Sequence, residues 1–439
     1  MENINSAIAG RTTAALSQRP SNQRYIVALM LFITVIINYV DRANLAIASP
    51  AIEKEFGLNQ IEMGYIFAAF GWTYALFMIP GGRILDVAGS KITYFIAILG
   101  WSVATLFQGF STGFLSLFGL RAITGAFEAP AFPTNNRVIS SWFPENERAG
   151  AIALYTSGQY VGLAFLTPFL VWLMNVTSWH WVFIFTGTLG IVWSLVWFFK
   201  YKPITENKKV NAAELEYVIN GGGIIDIASD ANSQKKKLTK KDWKNVFHPK
   251  LLGVYFVQFS LSTTSWFFLT WFPSYISKGR DINVTTTGIM TALPFVAAFL
   301  GVISGGFLVN KLMKMGKGVG FSRRVPIISG LLLSMVIVGA NYTDNINLIV
   351  LMLGIAFFGN GFASQAWSLV SSIAPTHLIG LSGGCFNFFG GIGGMSVPII
   401  VGYLAQYYGF APALVYIAVI AFMSILAFLA LTRNVERIA

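Results

Sequence analysis

The 439 residues carry 55% hydrophobic and only 11% charged side chains, with a mean hydropathy of +0.64. A soluble domain holds about 25% charged residues, so this composition excludes a water-soluble chain and specifies a polytopic membrane protein. The single cysteine, Cys385, excludes a disulfide framework and cysteine-based metal or haem motifs, and the scattered His180, His248 and His377 lack ligand neighbours, so neither metal nor cofactor is expected. The formal charge of +12 would suit a nucleic-acid partner, but the placement of the charges removes that reading.

In chain order, residues 1–24 are polar and lack the apolar core and cleavage site of a signal peptide, which predicts a cytoplasmic N-terminal tail. A membrane helix needs about 20 mostly apolar residues. Such runs occupy 25–45, 64–79, 92–110, 114–132, 149–174, 181–199, 251–276, 286–309, 325–340, 346–370, 379–403 and 413–431, which is twelve spans in an all-α membrane protein. They divide into a six-helix half over 25–199, a cytoplasmic linker over 200–250, a second six-helix half over 251–432 and a short cytoplasmic tail, 433–439.

With the N-terminus inside, only Lys54, Lys278 and Arg280 lie outside, while Arg42 and Arg121 lie within spans. The other 25 of the 30 Lys and Arg residues fall on the cytoplasmic side, a strong positive-inside bias. Charge therefore reports topology, and no nucleic-acid partner is expected. In the linker, Gly221-Gly222-Gly223 and Lys235-Lys236-Lys237 read as solvated chain, and Thr239-Lys240-Lys241-Asp242 predicts a capping box that opens a short surface helix before Trp243, Val246 and Phe247.

The halves echo each other. Ser140-Ser141-Trp142-Phe143-Pro144 after the fourth run matches Ser371-Ser372-Ile373-Ala374-Pro375 after the tenth, and Gly81-Gly82 after the second matches Gly305-Gly306 after the eighth. Equivalent positions six spans apart predict two halves related by an axis along the membrane normal, with a substrate site between them.

Four motif regions carry chemistry. Gly82, Asp86, Gly89 and Lys91 form a short loop in which glycines permit a tight turn and the charges find helix ends or neighbours. Asp41-Arg42 sits late in the first run. Adjacent helical residues point about 100° apart, so one faces the cavity and the other its own half; a charged pair at a frayed helix end is the plain alternative. Arg121 and Glu128, seven apart, share a stripe two turns long. Intramembrane charges cost enough that they normally face a partner, a cavity or a translocation path. Two guanidinium groups suit an anionic ligand, and two carboxylates suit proton movement; a structural ion pair is the alternative. The glycine pairs at 383–384, 390–391 and 393–394 permit close helix approach.

The 82–91 loop resembles the signature loop of the major facilitator superfamily, whose role is to latch the two halves in the outward-open state. Asp41-Arg42-x-Asn44, Arg121-x-x-x-Gly125-x-x-Glu128 and Trp142-x-Pro144-x-x-x-Arg148 together resemble its anion:cation symporter family, over essentially the whole chain. Tyr39-Val40-Asp41-Arg42-Ala43-Asn44, Glu128-Ala129-Pro130 through Asn136, and Phe358-Gly359-Asn360-Gly361-Phe362-Ala363-Ser364 are most similar to the bacterial D-galactonate/proton symporters within that family. The resemblance implies the major facilitator fold and proton-coupled import of a sugar acid such as galactonate, with other hexonates, hexuronates or glucarate-type anions as alternatives. It implies that Asp41 and Glu128 carry protons, that Arg42 binds the substrate carboxylate, that Arg121 pairs with Glu128, and that Tyr39, Tyr74, Gln159, Ser364, Trp367 and Asn387 line the sugar pocket. It further implies a monomer in the lipid bilayer of a bacterial inner membrane, driven by the proton gradient.

No P-loop, H-E-x-x-H or dinucleotide fingerprint occurs, so the chain is not expected to be an enzyme or an ATP-driven pump. A drug/proton antiporter would bring a cationic drug against two intramembrane arginines. A membrane sensor or enzyme would need an output domain, for which the 200–250 linker is too short.

Overall fold

The computed structural model describes residues 19–224, 239–277 and 284–438. Residues 1–18 of the tail, Lys235-Lys236-Lys237, Lys278 and Arg280 lie outside these. The described chain is helical throughout. Among the described residues, nine helices are long and apolar enough to cross a membrane. One of them, Gln60–Gln108, is two spans joined at Gly89, whose φ of 72° no side-chain-bearing residue adopts cheaply. The fourth span (Phe114–Glu128 continued by Ala131–Trp142) and the seventh (Pro249–Thr270 with Phe272–Ser277) complete twelve.

The first span, Gln23–Phe56, runs well past the apolar stretch that the sequence suggests. Its 34 residues rise about 51 Å, so Asp41 and Arg42 stand near mid-helix, not at a frayed end. The fourth span breaks at Ala129-Pro130 because Pro130 supplies no N–H to continue the ladder. The fifth contains a π-turn at Gly162–Leu166, and the ninth ends in a 3-10 stretch, Met335–Tyr342.

The predicted linker helix is Lys240–Val246, with the Thr239–Asp242 capping box formed and Val246 buried. Before it, Ala212–Asn220 docks on the first half. Glu214, fully buried, accepts from Ser21 Oγ, from the backbone N–H groups of Gln23 and Arg24 and from the Arg24 guanidinium, so a carboxylate of the linker caps the positive end of the first span.

The two halves meet at the end of the bundle far from the termini and the linker. There Ser49 and Ser274 share a hydrogen bond of 2.8 Å, and the Gln60 amide donates to Gln406 Oε1 at 3.0 Å. Phe67 packs edge-on against Trp271. Backbones touch directly: a Cβ on Gly64 would lie 2.7 Å from the Pro398 carbonyl oxygen, and one on Gly71 would lie 2.8 Å from that of Gly394. At the linker end no hydrogen bond or ion pair joins the halves among the described residues. On the eleventh span (Ile379–Tyr408), Gly394, Pro398 and Gly402 belong to the sealed stripe. Asn387, two turns nearer the linker end, is exposed on the same stripe, and Gly384 and Gly391 face open space. On the second span the stripe runs from Gly64, Phe67 and Gly71 to Tyr74 and Gly82. The bundle is sealed at the far end and open at the linker end.

Candidate functional site

Where the seal stops and the cavity begins, the first and fourth spans bring four charges together, against aromatic rings of the second. Asp41, Arg42, Arg121 and Glu128 are 1%, 8%, 1% and 0% exposed. Glu128 closes the fourth span's first segment, one residue before the Ala129-Pro130 break, and there meets Arg42: the arginine donates from Nε and forms an ion pair through Nη2 to the same oxygen, Oε1. Its guanidinium lies 4.8, 5.0 and 5.2 Å from the ring centres of Tyr39, Phe70 and Tyr74. An aromatic box of this kind attracts a cation through the ring faces and strips water from it.

The partner of Glu128 is thus Arg42, which corrects the expected pairing with Arg121. Two helical turns separate Arg121 from Glu128 by about 10.5 Å, and helical side chains lean toward the helix N-terminus. Arg121 therefore reaches away from Glu128 and donates to the backbone carbonyls of Asp41 and Arg42, 3.2 Å each. Each of those carbonyls has a second lone pair to offer. Arg121 also lies 5.0 Å from the Phe70 ring centre, so one phenyl ring contacts two guanidinium groups.

Asp41 faces its own half. Asn44 bridges it to the sixth span (Trp179–Lys200), donating to Asp41 Oδ1 at 3.4 Å and to Thr186 Oγ1 at 2.6 Å. Asp41 and Arg42 accordingly point apart, as helical geometry requires.

Of the expected pocket residues, Tyr39 and Tyr74 flank Arg42 in the first half. Gln159, partly buried, sits three residues before the π-turn of the fifth span. In the second half Asn387 and Trp367 are exposed on the eleventh and tenth spans, and the Trp367 ring packs edge-on against Phe386, 5.2 Å away. Ser364 caps the helix Ile346–Ala363 at the bend of the tenth span. Lys91 is not beside Asp86: its ammonium lies 4.9 Å from the Phe198 ring. Asp86 pairs with Arg137 at 3.4 Å, and Arg137 also binds the Leu85 carbonyl at 2.8 Å. The 82–91 loop thus holds to its own half, as it must when the linker end is open.

Sequence reasoning missed Phe70 and Arg137. Phe70 lies in Ala68-Ala69-Phe70-Gly71, which reads as plain membrane helix. Arg137 sits in a loopward segment where basic residues are expected for topology.

A pair of six-span bundles, closed over buried charges at one end and open at the other, is the architecture of a carrier that moves a solute by alternating access. The sequence pattern of the Major Facilitator Superfamily matches residues 31–398, and the chain belongs to that family. It is 57% identical over 421 residues to a D-galactonate transporter of Escherichia coli O6:H1, covering 96% of this chain and 98% of that one. Identity is 39% to a probable galactarate/D-glucarate transporter of Bacillus subtilis (96% and 94% covered) and 30% to a hexuronate transporter of the same organism (89% and 90%). Among solved structures, a bacterial homologue of the human lysosomal transporter Spinster, inward-facing and occupied, shares the fold with a TM-score of 0.73 at 17% identity, over 93% of this chain and 97% of that one. The protein is a transporter and not an enzyme.

Proposed function

We propose that the chain is a proton-coupled symporter that imports a sugar acid, D-galactonate first, across a bacterial inner membrane. The observation that carries this reading is the Arg42–Glu128 pair at the head of the cavity, inside the Tyr39, Phe70 and Tyr74 rings. Arg121 is held on backbone carbonyls, so Arg42 is the guanidinium there that offers a planar two-point contact to a carboxylate, and in this state Glu128 occupies it. A proton on Glu128 removes the charge that holds Arg42 and frees the fork for the substrate carboxylate. Asp41, against the Arg121-bound backbone, carries the second proton. Tyr39, Tyr74, Gln159, Ser364, Trp367 and Asn387 supply hydroxyl, amide and flat faces to the polyol. The positive-inside bias supports a cytoplasmic linker end and cytoplasmic termini, which makes this the inward-open state; the carrier works as a monomer on this reading.

The 57% identity to a D-galactonate transporter supports galactonate over galactarate or glucarate, whose probable carriers are more distant. Uptake into proteoliposomes tests this. An inward-directed proton gradient should drive accumulation of galactonate, and affinity should rise as pH falls from about 8 to 5.5, because proton and anion favour the same state and each raises the affinity of the other. Equal uptake of a neutral sugar, or binding unchanged over that range, would remove the assignment.

A further inference from the structure

The apolar core of the first half has a gap. On the third span it stops at Trp101, and it resumes at Leu117 on the fourth span and Val182 on the sixth. Between them the third span turns a polar face inward: Ser102, Thr105 and Gln108, followed by Ser111 in the turn at the far end. The first three are fully buried and Ser111 is 6% exposed. Their spacing of three residues winds Ser102, Thr105 and Gln108 slowly around the helix, about 60° per step. Ser102 Oγ, Thr105 Oγ1, Gln108 Oε1 and Ser111 Oγ have no hydrogen-bond partner on the protein, and the same holds for Asn44 Oδ1 and Asp41 Oδ2 at the other end of the row. Gln108 Nε2 is anchored to Thr124 Oγ1 of the fourth span at 2.9 Å, and Trp101 comes up beside the Asp41 carboxylate. The row climbs about 15 Å from Trp101 to Ser111, at about 1.5 Å per residue.

A buried polar atom left unsatisfied is costly, and native proteins answer a run of them with ordered water. Six such atoms gathered on the third span and the facing part of the first, where the sixth span closes in with Gly187 against Leu106 and Gly190 against Ser102, are more than helix-to-helix glue requires. We propose that this row is a hydrated proton path through the first half, from the far (periplasmic) face at Ser111 to Asp41, separate from the substrate cavity. A proton enters on water at Ser111 and is relayed from water to water. Each oxygen accepts one proton and releases another, and the Asp41 carboxylate takes the last; only O–H bonds form and break. The hydroxyls and the Gln108 amide hold the waters in line.

The charged groups that face Asp41 are Arg121 from the fourth span, Arg42 beside it and Glu128 beyond Arg42; the third and sixth spans bring none there. The two guanidinium groups stand between Asp41 and the cavity and bar a proton from leaking straight through, as an arginine does in other pores. Asp41 thereby receives its proton from outside while the cavity itself is sealed on that side.

The inference rests on the symport reading, and the experiment separates the two. Thr105→Val and Gln108→Leu, singly and together, remove the relay while keeping shape. In proteoliposomes, proton-driven galactonate uptake should slow by about tenfold, the kinetic equivalent of one ordinary hydrogen bond. Counterflow at equal pH on both sides should persist, since it needs no net proton turnover. Thr105→Ser and Gln108→Asn should restore the rate. Wild-type uptake rates in the folded variants would show the row to be packing only and overturn the path while leaving symport intact. Counterflow lost together with uptake in folded protein would overturn it as well, by showing a structural role. If the double variant fails to fold, the single Thr105→Val decides. A wild-type protein that never accumulates galactonate on a proton gradient would sink the symport reading and the path with it.

Discussion

The two halves share a fold but not a chemistry. Among the described residues, every buried charged side chain lies in the first half or in the linker helix docked on it: Arg24, Asp41, Arg42, Glu53, Arg121, Glu128 and Glu214. The second half buries only neutral polar groups, among them Ser260, Thr263, Thr264, Asn360 and Ser382. Asn360, for instance, donates to Ser265 Oγ at 2.9 Å instead of to a charge. Even the repeated loop follows this division, with Asp86 in the first copy and Asn310 in the second. A buried charge must have a partner in every state, which favours placing the whole set inside one rigid bundle. Neutral groups face no such demand and can be traded as the halves rock. On the proposed function, the comparison assigns ion handling to the first half and leaves the second half neutral contacts to the sugar, beside those of Tyr39, Tyr74 and Gln159.

The largest effect should come from Arg42→Ala. Truncating one partner of a buried charge pair costs about 2–5 kcal/mol, so galactonate binding measured by calorimetry should weaken by roughly a hundredfold or more. Arg42→Lys should recover little of it, because an ammonium is a point charge without the planar fork. Near-normal binding by Arg42→Ala would move the anion site into the second half and break the division.

Next in size, Glu128→Gln keeps the shape of the protonated acid but loses its charge. Counterflow should survive while accumulation against a proton gradient disappears, and binding should lose most of its pH dependence. Full proton-driven accumulation by this variant would place coupling elsewhere. A protein that binds nothing would mark Glu128 as a structural counter-ion.

Asn387→Ala and Trp367→Phe sharpen the other side of the comparison. Each removes a neutral contact worth about 0.5–1.5 kcal/mol, so affinity should fall a few-fold to about tenfold with the pH profile unmoved. A shifted pH profile would mean that ion handling extends across the cavity.

The smallest effect is expected at the entry to the second half. His248 caps the seventh span, its Nδ1 accepting from the Lys250 amide at 3.2 Å, and burial together with Lys250 and Lys244 holds the imidazole below its ordinary range. A depressed value means that the unfolded chain binds the proton more readily. The cap's contribution is therefore present above the ordinary histidine range and is lost as pH falls. His248→Ala should cost about 1 kcal/mol by thermal unfolding in detergent at neutral pH, and less at pH 5.

How much of this could be read from the chain depends on the range of each interaction. The capping box at Thr239 and the turn at Gly89 are local, written within four residues, and both formed where the motif stands. Span number and pairing of the halves follow from hydropathy and repetition. The first span reads as ending near residue 45 because Ala46 through Phe56 is less apolar than the run before it, yet it continues the same helix against tertiary neighbours. The Arg121–Glu128 spacing shows a shared stripe but not the lean of the side chains, and the lean decided the partner. Phe70, in contact with two guanidinium groups, has no local signal at all. Nor has the row from Ser102 to Gln108, since Trp101-Ser102-Val103-Ala104-Thr105-Leu106-Phe107-Gln108 scores as an ordinary membrane helix.

The far-end seal has a consequence for what mutation can do to this protein. Gly64 lies against Pro398, Gly71 against Gly394, and Gly402 against Gln60, with carbonyl oxygens 2.7–2.8 Å from where each side chain would begin. A contact made by large side chains is loosened by trimming them, and drift in sequence can strengthen or weaken it. This one has nothing to trim. Every amino-acid replacement at these glycines adds atoms and wedges the seam, so the accessible variation runs in one direction only, toward a carrier biased to open outward. Libraries randomised at these three positions should therefore yield outward-trapped proteins and almost never more tightly closed ones.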